Sequence, residues 1–372
     1  MKKIGITGQS GFIGKHLRNT LNLFRDDYLC VNFNRSFFND EIELDNFVRQ
    51  CDVIVHLAAV NRHNDPGVIY ATNIGMVKSL ISSLVRTGSN AHVIFSSSLQ
   101  EESENPYGKS KKDGRDLLIE WSEKSNGKLT GMVIPNVFGP FGRPYYNSVI
   151  ATFSHQLSCG EAPEIQIDSL LKLIYVGELV KEIIQKINSC DCDHFYQVSH
   201  SHEAKVSELL ATLKLFKNEY QCNGVIPAIQ NEFDLNLFNT FRSYIDIKNY
   251  FPVKLMKNLD ARGTFVEVVR LHVGGQVSFS TTKPGITRGD HFHTRKIERF
   301  AVIKGKALIQ LRQIGTDEII SFELSGAEPA YVDMPIWYTH NIKNIGDDEL
   351  FTNFWINEFY NPEDPDTYFE KV

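Results

Sequence analysis

The first 140 residues alternate strand-like apolar runs with helical stretches, and this alternation restricts the fold more than any other feature of the chain. The strand-like runs cover residues 2–8, 28–34, 51–59, 91–98 and 129–139, and the helical stretches cover residues 11–23, 71–86 and 106–123. This order predicts a Rossmann-type, doubly wound α/β domain in which helices cover both faces of a parallel sheet. Its ligand should bind at the carboxyl ends of the strands.

A different pattern begins after about residue 262. Short β-branched and aromatic runs, such as "GQVSFSTT" and "RFAVIKGKALIQLR", follow one another with turns of Gly, Asp or Pro between them. No helix-length segment interrupts these runs, which predicts an all-β barrel of about 110 residues. We therefore predict two domains, residues 1–250 and residues 251–372.

Composition and charge argue against several classes of protein. With 372 residues, of which 42% are hydrophobic and 23% charged, the chain is long enough for two folded cores and is not of disordered composition. The net charge of −6 and the lack of a basic block argue against nucleic-acid binding. Six scattered cysteines indicate a reducing compartment, and no purely apolar run reaches the length of about 18 residues that a membrane span needs. We expect a cytoplasmic protein without a membrane segment.

The first strand leads into a glycine-rich turn, "TGQSGFIG", which places Gly8, Gly11 and Gly14 between a strand and a helix. Glycines allow the backbone to turn sharply and to approach a pyrophosphate, which the amino end of the helix then binds. The second strand ends in "VNFNRS", with Arg35 where an acidic residue would favour NAD. Because a guanidinium suits a 2′-phosphate, we expect NADPH as the cofactor; the alternative is a solvated loop arginine.

A tyrosine and a lysine in "NPYGKSK" predict proton transfer. Tyr107 and Lys111 lie four residues apart at the start of a helix, so their side chains share one face. A neighbouring ammonium group, together with an oxidised nicotinamide, would lower the pKa of the tyrosine and ready it for proton transfer. The preceding strand ends in "IFSSS", and its last hydroxyl, Ser98, is placed to hydrogen-bond a substrate carbonyl oxygen.

A second group of chemically active residues lies in the β-rich region. His291 and His293 point the same way if they lie on a strand, and Glu298 and His340 complete a set of three imidazoles and one carboxylate. Such a set can hold one divalent ion and leave positions open for a substrate oxygen. Zinc suits the nitrogen-rich ligands, with iron, nickel and manganese as alternatives. A bare His-x-His pair is more often a surface feature, but Glu298 and His340 favour the metal site.

Residues 1 to about 250 resemble the extended short-chain dehydrogenases/reductases that act on nucleotide sugars. The matching stretches are "TGQSGFIG", "VIVHLAA", "ATNIGM", "SSS", "YGKSK" and "IPNVFGP". The resemblance implies a catalytic set of Ser98, Tyr107, Lys111 and Asn73. It implies a cofactor site of Gly8, Gly11, Phe12, Ile13, Gly14, Arg35, Leu57, Ala58, Tyr107 and Lys111. Ser98 and Tyr107 are only nine positions apart, closer than in most relatives, so we expect a shortened loop and a more open substrate side.

The β-rich region resembles the cupin superfamily, with Trp337 where the second cupin motif usually has a glycine. We therefore expect the local turn or pocket wall to differ there. "DARGTFVEV" and "TRGDHFH" also resemble the keto-sugar epimerase branch of cupins, in which a histidine at the place of His291 acts as a base rather than as a ligand. Both roles stay open for His291. Tyr338, Lys283 and Lys304 are weak candidates for proton transfer beside a metal-stabilised enolate.

The chain as a whole resembles the bifunctional capsular-polysaccharide enzymes of the N-acetyl-L-fucosamine pathway, through "NPYGKSK", "PYYNSVIATF", "TKPGITRGDHFH", "YTHNIKN" and "NPEDPDTYF". The resemblance implies a UDP-2-acetamido-2,6-dideoxy-hexos-4-ulose substrate, C3 epimerisation in the cupin and NADPH-dependent C4 reduction to the L-talose sugar. It also implies sugar-nucleotide contacts from Asn136, Arg143, Asn147 and Lys172. Antiparallel barrels often pair through edge strands, so we expect a homodimer.

Two other functions fit the same residues. In the first, the chain is a nucleotide-sugar ketoreductase whose cupin is only a structural or dimerisation module. In the second, the N-terminal domain is a dinucleotide sensor without turnover. The joint presence of Tyr107, Lys111 and a strand-end serine argues against a sensor.

Overall fold

The computed structural model describes all 372 residues, and the chain forms two compact units. The first unit contains residues 1–152 and 167–206, and the second contains residues 153–166 and 207–372. Residues 207–250 therefore group with the barrel by their contacts. The functional boundary at 250/251 stays a prediction.

The first unit contains nine strands and five complete helices, and a sixth helix is divided between the units. The strands are β1 Lys2–Thr7, β2 Tyr28–Val31, β3 Val53–His56, β4 His92–Ser98, β5 Leu129–Ile134, β6 Asn136–Phe138, β7 Leu170–Tyr175, β8 Asp193–Gln197 and β9 His202–Lys205. The helices are α1 Phe12–Leu21, α2 Glu41–Gln50, α3 Pro66–Thr87, α4 Pro106–Ser125 and α6 Val176–Ser189, and the divided helix is α5 Val149–Ser158. Short 3₁₀ helices cover Asn22–Phe24, Arg35–Asn39 and Leu99–Glu102.

Six of these strands form one parallel sheet in the order β2-β1-β3-β4-β5-β8. Its two faces carry separate apolar clusters, because successive side chains of a strand point to opposite faces. On β4, Phe95 joins the cluster that contains Leu80 of α3 and Trp121 of α4, whereas Ile94 joins the cluster that contains Leu17 of α1 and Leu179 of α6. Helices therefore cover both faces. A smaller sheet has the order β6-β7-β9.

Helix α3 begins five residues earlier than the sequence pattern predicts, because Asp65 caps it and Pro66 occupies its first turn. It ends at Gly88, whose φ of 58° terminates the helix in the left-handed region. By length and composition alone, α3 would also suit a membrane span, with a mean hydropathy of 1.4 over 18 residues. Because it packs against α2 and α4 and buries Leu80 and Leu84, this is weak evidence for a span.

The second unit consists mainly of strands. They are β10 Val225–Ile226, β11 Val253–Lys254, β12 Lys257–Asp260, β13 Gly263–Val266, β14 Arg270–Leu271, β15 Gln276–Thr282, β16 Thr287–Phe292, β17 Glu298–Lys304, β18 Lys306–Gln313, β19 Ile319–Ser325, β20 Ala330–Met334, β21 Tyr338–Asn344, β22 Leu350–Ile356 and β23 Tyr368–Phe369. Its helical segments are α7 Val206–Phe216, a π-helical turn Lys217–Cys222, α8 Glu232–Arg242 and α9 Ile247–Tyr250.

Two five-stranded antiparallel sheets form the barrel, in the orders β11-β20-β17-β22-β15 and β19-β18-β21-β16-β23. One apolar cluster joins them, with Phe300 and Val302 from the first sheet and Ile309, Leu311 and Ile342 from the second. The sheets therefore face each other across a common core. The predicted fold class, a Rossmann-type parallel sheet followed by an all-β cupin barrel, is confirmed.

Candidate active sites

The glycine-rich turn joins β1 to α1 in the conformation that the sequence predicts. Gly8 has a φ of 77°, in the region that glycine adopts without strain. A Cβ atom at Gly14 would lie 2.2 Å from the carbonyl oxygen of Gly8, so only glycine allows α1 to pack this closely on the turn. Gly11 caps α1 without a side-chain hydrogen bond, and Phe12 and Ile13 form the first helical turn. The amino end of α1 is thus built for an anion.

Three further predicted cofactor residues, Arg35, Leu57 and Ala58, follow the carboxyl ends of β2 and β3, the strands on either side of β1. The Nε2 atom of Gln9 in the glycine-rich turn donates a hydrogen bond to the carbonyl of Phe33 over 2.5 Å, which holds the turn against the segment that leads to Arg35. Arg35 itself is exposed. Leu57 and Ala58 donate their amides to the carbonyl and hydroxyl of Thr7, over 3.2 and 3.3 Å. The predicted cofactor residues of these strands therefore lie at one edge of the sheet.

Tyr107 and Lys111 lie in the first two turns of α4, which Asn105 caps. The Lys111 side chain is buried, and its Nζ atom donates to the carbonyl of Ser96 over 2.7 Å and lies 5.8 Å from the centre of the Tyr107 ring. Burial lowers the pKa of Lys111 to about 8 and raises the pKa of Tyr107 above its usual value. The Tyr107 phenol is therefore protonated at neutral pH. The Lys111 ammonium group beside it has a pKa only slightly above neutral.

Ser98 and Asn73 have different surroundings. Ser98 ends β4, and its Oγ atom accepts the amide of Gln100 over 3.2 Å, which starts the 3₁₀ helix. Asn73 is buried on α3, and its amide group bonds both the N–H and the carbonyl of Val60 as well as the hydroxyl of Ser110. Asn73 therefore joins the segment after β3 to α4, whereas Ser98 stands at the carboxyl edge of the sheet.

The four predicted substrate residues form two groups. The Asn136 side chain donates to the carbonyl of Lys172 over 3.1 Å, so these two lie together on β6 and β7. Arg143 and Asn147 are exposed on the segment between β6 and α5. The guanidinium of Arg143 lies 5.3 Å from the ring centre of Tyr146, whose hydroxyl accepts the amide of Asn61. The structure describes no contact that joins the two groups.

Sequence reasoning missed an ion pair behind the strand-end serine. The Arg115 guanidinium of α4 donates to both carboxylate oxygens of Glu101, over 3.0 and 2.8 Å, and both side chains are nearly buried. Ser97 also donates its hydroxyl to Glu101. This network fixes the short connection between β4 and α4. No signal in a single sequence distinguishes such a pair from exposed charges.

The barrel brings the four predicted metal ligands together. His291 on β16 pairs in register with His340 on β21, His293 follows β16, and Glu298 begins β17 on the other sheet. The nearest ligand atoms of all four lie within 4.8 Å of one another. Two neighbouring strands and one facing strand thus place three imidazoles and one carboxylate around a single point.

The hydrogen bonds of the histidines fit a cation. His293 donates Nδ1–H to the carbonyl of Asp366, and His340 donates Nδ1–H to the carbonyl of Tyr338, so both rings turn their Nε2 atoms towards the cluster. They lie 3.1 and 3.3 Å from Glu298 Oε2, and these three buried atoms have no hydrogen-bond partner. Burial opposes the charge of Glu298, but the two histidines hold its pKa below the usual range. Three converging, unpaired ligand atoms match a divalent metal site.

A cavity of about 340 Å³ lies beside this cluster. Its lining includes His291, Glu298, Arg288 and Tyr360 together with apolar side chains of β17, β21 and β22. The three candidates for proton transfer that the sequence offered, Tyr338, Lys283 and Lys304, are not part of this lining. Instead, Tyr338 packs against the barrel core. The tyrosine among the lining residues is Tyr360. The sequence did not single it out, because nothing in "NEFYNPED" distinguishes it from a surface tyrosine.

Trp337 changes packing rather than backbone conformation. Its φ of 61° lies in the left-handed region that glycine adopts freely, and its amide donates to the carbonyl of His293 over 2.7 Å. The indole is buried and lies 5.7 Å from the ring of Phe292, between ring centres. The turn before His340 therefore keeps a glycine-like backbone and carries a large side chain.

The fold and the two groups of side chains define a two-domain protein, with a Rossmann-type dinucleotide-binding fold and a cupin-like barrel that carries a candidate metal site. Residues 4–198 match the NAD dependent epimerase/dehydratase family, and residues 258–368 match the polysaccharide biosynthesis C-terminal domain. The chain belongs to the NAD dependent epimerase/dehydratase family.

Three relatives show how far the similarity extends. The UDP-2-acetamido-2,6-beta-L-arabino-hexul-4-ose reductase of Pseudomonas aeruginosa is 31% identical over 368 residues, which cover 98% of both chains. The crystal structure of the capsular polysaccharide assembling protein CapF from Staphylococcus aureus is 35% identical, covers 100% of both chains and has a TM-score of 0.64. The spore coat polysaccharide biosynthesis protein SpsL of Bacillus subtilis is 28% identical over 123 residues, 30% of this chain and 82% of that one.

Proposed function

We propose that the chain is a bifunctional enzyme of UDP-keto-sugar metabolism in the cytoplasm. Residues 251–372 invert C3 of a UDP-2-acetamido-2,6-dideoxy-hexos-4-ulose, and residues 1–250 then reduce the C4 ketone with NADPH to the UDP-2-acetamido-2,6-dideoxy-L-talose. The product serves capsule or O-antigen N-acetyl-L-fucosamine synthesis. Support comes from the P. aeruginosa relative, which is named a reductase of such a sugar and matches along 98% of the chain.

One observation carries the two-site proposal. The chain holds a buried Lys111 next to Tyr107 in one unit and three converging, unpaired ligand atoms beside a cavity in the other. The first arrangement suits proton transfer to a ketone oxygen, and the second suits stabilisation of an enolate. Loss of the C3 proton and reduction at C4 involve the same ketone, so both sites act on one substrate.

In the reductase site, Tyr107 is the proton donor. A bound NADPH supplies the hydride for C4. The phenol of Tyr107 donates its proton to the C4 oxygen, and the Lys111 ammonium stabilises the phenolate that remains. Ser98 donates a hydrogen bond to the same oxygen as it gains charge. Asn73 acts at a distance, because its amide holds Val60 and Ser110 in place.

In the cupin site, the protein residues hold a cation and move a proton. A divalent cation, for which zinc is well suited, supplies the Lewis acidity that stabilises negative charge on the ketone oxygen. His293, Glu298 and His340 are the proposed ligands. His291, which lines the cavity, is the proposed base that takes the proton from C3, and a place as fourth ligand is its alternative role. Tyr360, which lines the cavity, is the proposed acid that returns a proton to C3 on the face opposite to its removal.

Three variants and one control variant test whether the sites are separate. In deuterated water without NADPH, the wild-type protein should exchange deuterium into C3 of the UDP-keto-sugar. Tyr107→Phe should keep this exchange and lose NADPH oxidation, because only the reductase loses its acid. Glu298→Gln and Tyr360→Phe should lose exchange, while Tyr338→Phe, a tyrosine outside the cavity, should not. If Tyr107→Phe abolishes exchange in a folded protein, the two-site proposal is wrong.

The preference for NADPH rests on Arg35, which is exposed beyond the end of β2 as a 2′-phosphate ligand should be. Arg35→Ala should raise KM for NADPH and leave KM for NADH unchanged. Equal effects on both cofactors would show that Arg35 does not recognise the 2′-phosphate.

We also propose that the chain forms a homodimer through its barrel. The edge strand β15 exposes Val277 and Phe279 at 58% and 71%, and the hairpin β12–β13 exposes Leu259 and Phe265 at 72% and 70%. Exposed apolar side chains on a sheet edge favour pairing with a second copy. This surface also favours the second candidate function, a ketoreductase whose cupin is only a dimerisation module. Light scattering should give the mass of a dimer for the wild type and that of a monomer for Phe279→Lys. Exchange at C3 that survives removal of the metal would support the cupin as a dimerisation module only.

A further inference from the structure

Residues 364–370, here called the closing segment, run beside β16, which carries His291 and leads directly to His293. Its strand β23 pairs with β16, so that Phe369 lies opposite His291 and Tyr368 opposite Phe292. The amide of Glu370 donates to the carbonyl of Asp290 over 3.0 Å. The closing segment is therefore part of the sheet that carries His291 and His340.

Asp366 is the residue of the closing segment with the most contacts to the metal-ligand region. It is 2% exposed and has a φ of 39°. Its carbonyl accepts the Nδ1–H of His293 over 2.5 Å. Its carboxylate accepts three backbone amides, those of Thr294, Arg295 and Lys296, over 3.0 to 3.1 Å, together with the Thr294 hydroxyl over 2.6 Å. One residue thus fixes both the His293 ring and the turn that follows it.

These contacts determine how His293 presents its ligand atom. A carbonyl accepts but never donates, so Nδ1 must carry a proton and Nε2 is the ring nitrogen left for a metal ion. The four hydrogen bonds to the Asp366 carboxylate fix the turn after His293. They also keep the Asp366 carbonyl next to the His293 ring. Partners of this kind set the tautomer and orientation of ligand histidines and strengthen metal binding.

We propose that Asp366 is a positioning residue for His293, and that the closing segment is an integral part of the metal centre. This inference rests on the proposed metal site. The neighbouring Asp364 provides a contrast, because its carboxylate is 66% exposed and pairs only with the Arg295 side chain. If the Asp366 carboxylate only attached the closing segment to the barrel, its replacement would leave the metal affinity unchanged. If it orients His293, its replacement weakens metal binding.

The test is a Zn²⁺ titration of the full-length protein, stripped of metal and competed with a chromophoric chelator. Wild type should bind one Zn²⁺, and Asp366→Asn should bind it about 10- to 100-fold more weakly. Asp364→Asn, the matched control, should bind within a factor of about two of wild type. Histidine ¹H–¹⁵N spectra of the metal-free protein should show a hydrogen-bonded Nδ1–H for His293 in wild type and the loss of that hydrogen bond in Asp366→Asn.

The outcomes separate this inference from the proposed function. If wild type binds Zn²⁺ and a folded Asp366→Asn binds it equally tightly, Asp366 does not position His293, although the metal site stands. If wild type binds no Zn²⁺, the metal site and this inference both fall. Should Asp366→Asn not fold, Thr294→Val removes one donor to the carboxylate and should weaken Zn²⁺ binding in the same direction. Unchanged binding by a folded Thr294→Val would then overturn the inference.

Discussion

Lys111 shows how burial adapts one residue to the proposed reduction. The residue is 3% exposed, and its ammonium group donates to the carbonyl and hydroxyl of Ser96 over 2.7 and 3.3 Å. Burial is the main cause of its lowered pKa, and the nearby Glu101 carboxylate opposes part of that effect. The pKa of Tyr107 moves the other way, because the same burial disfavours the phenolate. The pair therefore stays as phenol and ammonium at neutral pH.

This pairing predicts the pH dependence of reduction. The Lys111 charge is present below its pKa of about 8 and is lost as pH rises through that value, so kcat/KM for NADPH oxidation should fall above about pH 8. Tyr107 does not cause this fall, because its pKa is raised. The measurement is a pH–rate profile with saturating NADPH. A profile that stays flat to about pH 10 would contradict the assigned role of Lys111.

At the scale of elements, the short connection between β4 and α4 depends on Gly108. A Cβ atom there would lie 1.9 Å from the carbonyl oxygen of Gln100 and 3.1 Å from that of Ser103, and both are backbone atoms that cannot move aside alone. Gly108 therefore lets the 3₁₀ helix Leu99–Glu102 pack on the first turn of α4. The close spacing of Ser98 and Tyr107 in the sequence has this physical basis.

Gly108→Ala should displace the 3₁₀ helix and with it Ser98. Because a shift of about 1 Å can cost about 100-fold in rate, we expect kcat for NADPH oxidation to fall by roughly that factor. The NADPH dissociation constant should change little, since the glycine-rich turn is intact. The control is Gly75→Ala on α3, where an added Cβ atom meets nothing within 4 Å. Equal kcat values for both variants would refute the requirement for glycine.

A buried network joins residues 207–250 to the barrel within the second unit. The Arg299 guanidinium donates to both oxygens of Asp333, over 2.7 and 2.9 Å, and the Tyr220 hydroxyl donates to Asp333 over 2.8 Å. The side chains of Arg299 and Asp333 are 2% and 0% exposed. Since Tyr220 lies in the π-helical turn and Asp333 on β20, this network explains why the helical segment groups with the barrel.

Asp333→Asn should destabilise the second unit strongly. The substitution leaves the buried Arg299 charge without a partner, which costs about 3–5 kcal/mol in the free energy of unfolding. Denaturant unfolding, followed by the tryptophan fluorescence of the barrel, measures the change. Glu318→Gln serves as the control, because its pair with Lys248 is exposed and should contribute less than about 1 kcal/mol. A similar small effect of both variants would show that the network is not essential.

The sequence predicted the elements well where local signals are strong. The alternation of strands and helices, the glycine-rich turn and the start of α4 at Pro106 are all local features, and the structure confirms them. The start of α3 was placed too late, since the cap at Asp65 precedes the apolar pattern. The Glu101–Arg115 ion pair and the contacts of Asp366 could not be predicted, because these residues bond partners 14 and 72 positions away, and a single sequence does not show such long-range contacts.

At the scale of the whole molecule, the account joins two reactions on one ketone. In the proposed function, epimerisation is freely reversible, whereas reduction by NADPH would be strongly downhill and would remove the inverted sugar. Under that proposal, the covalent link between residues 1–250 and 251–372 would raise the local concentration of the intermediate at the reductase. Sequence similarity along the whole chain made this combination predictable, while the cavity and its Tyr360 emerge only when β15, β17 and the segment after β22 are folded together.

The most direct measurement is the NMR and mass spectrum of the product that the wild-type protein forms from the UDP-keto-sugar in deuterated water with NADPH. The account predicts a reduced sugar with one deuterium at C3, protium at C4 and inverted configuration at C3. A reduced product that retains protium and the original configuration at C3 would contradict it, because the barrel would then have no part in the chemistry.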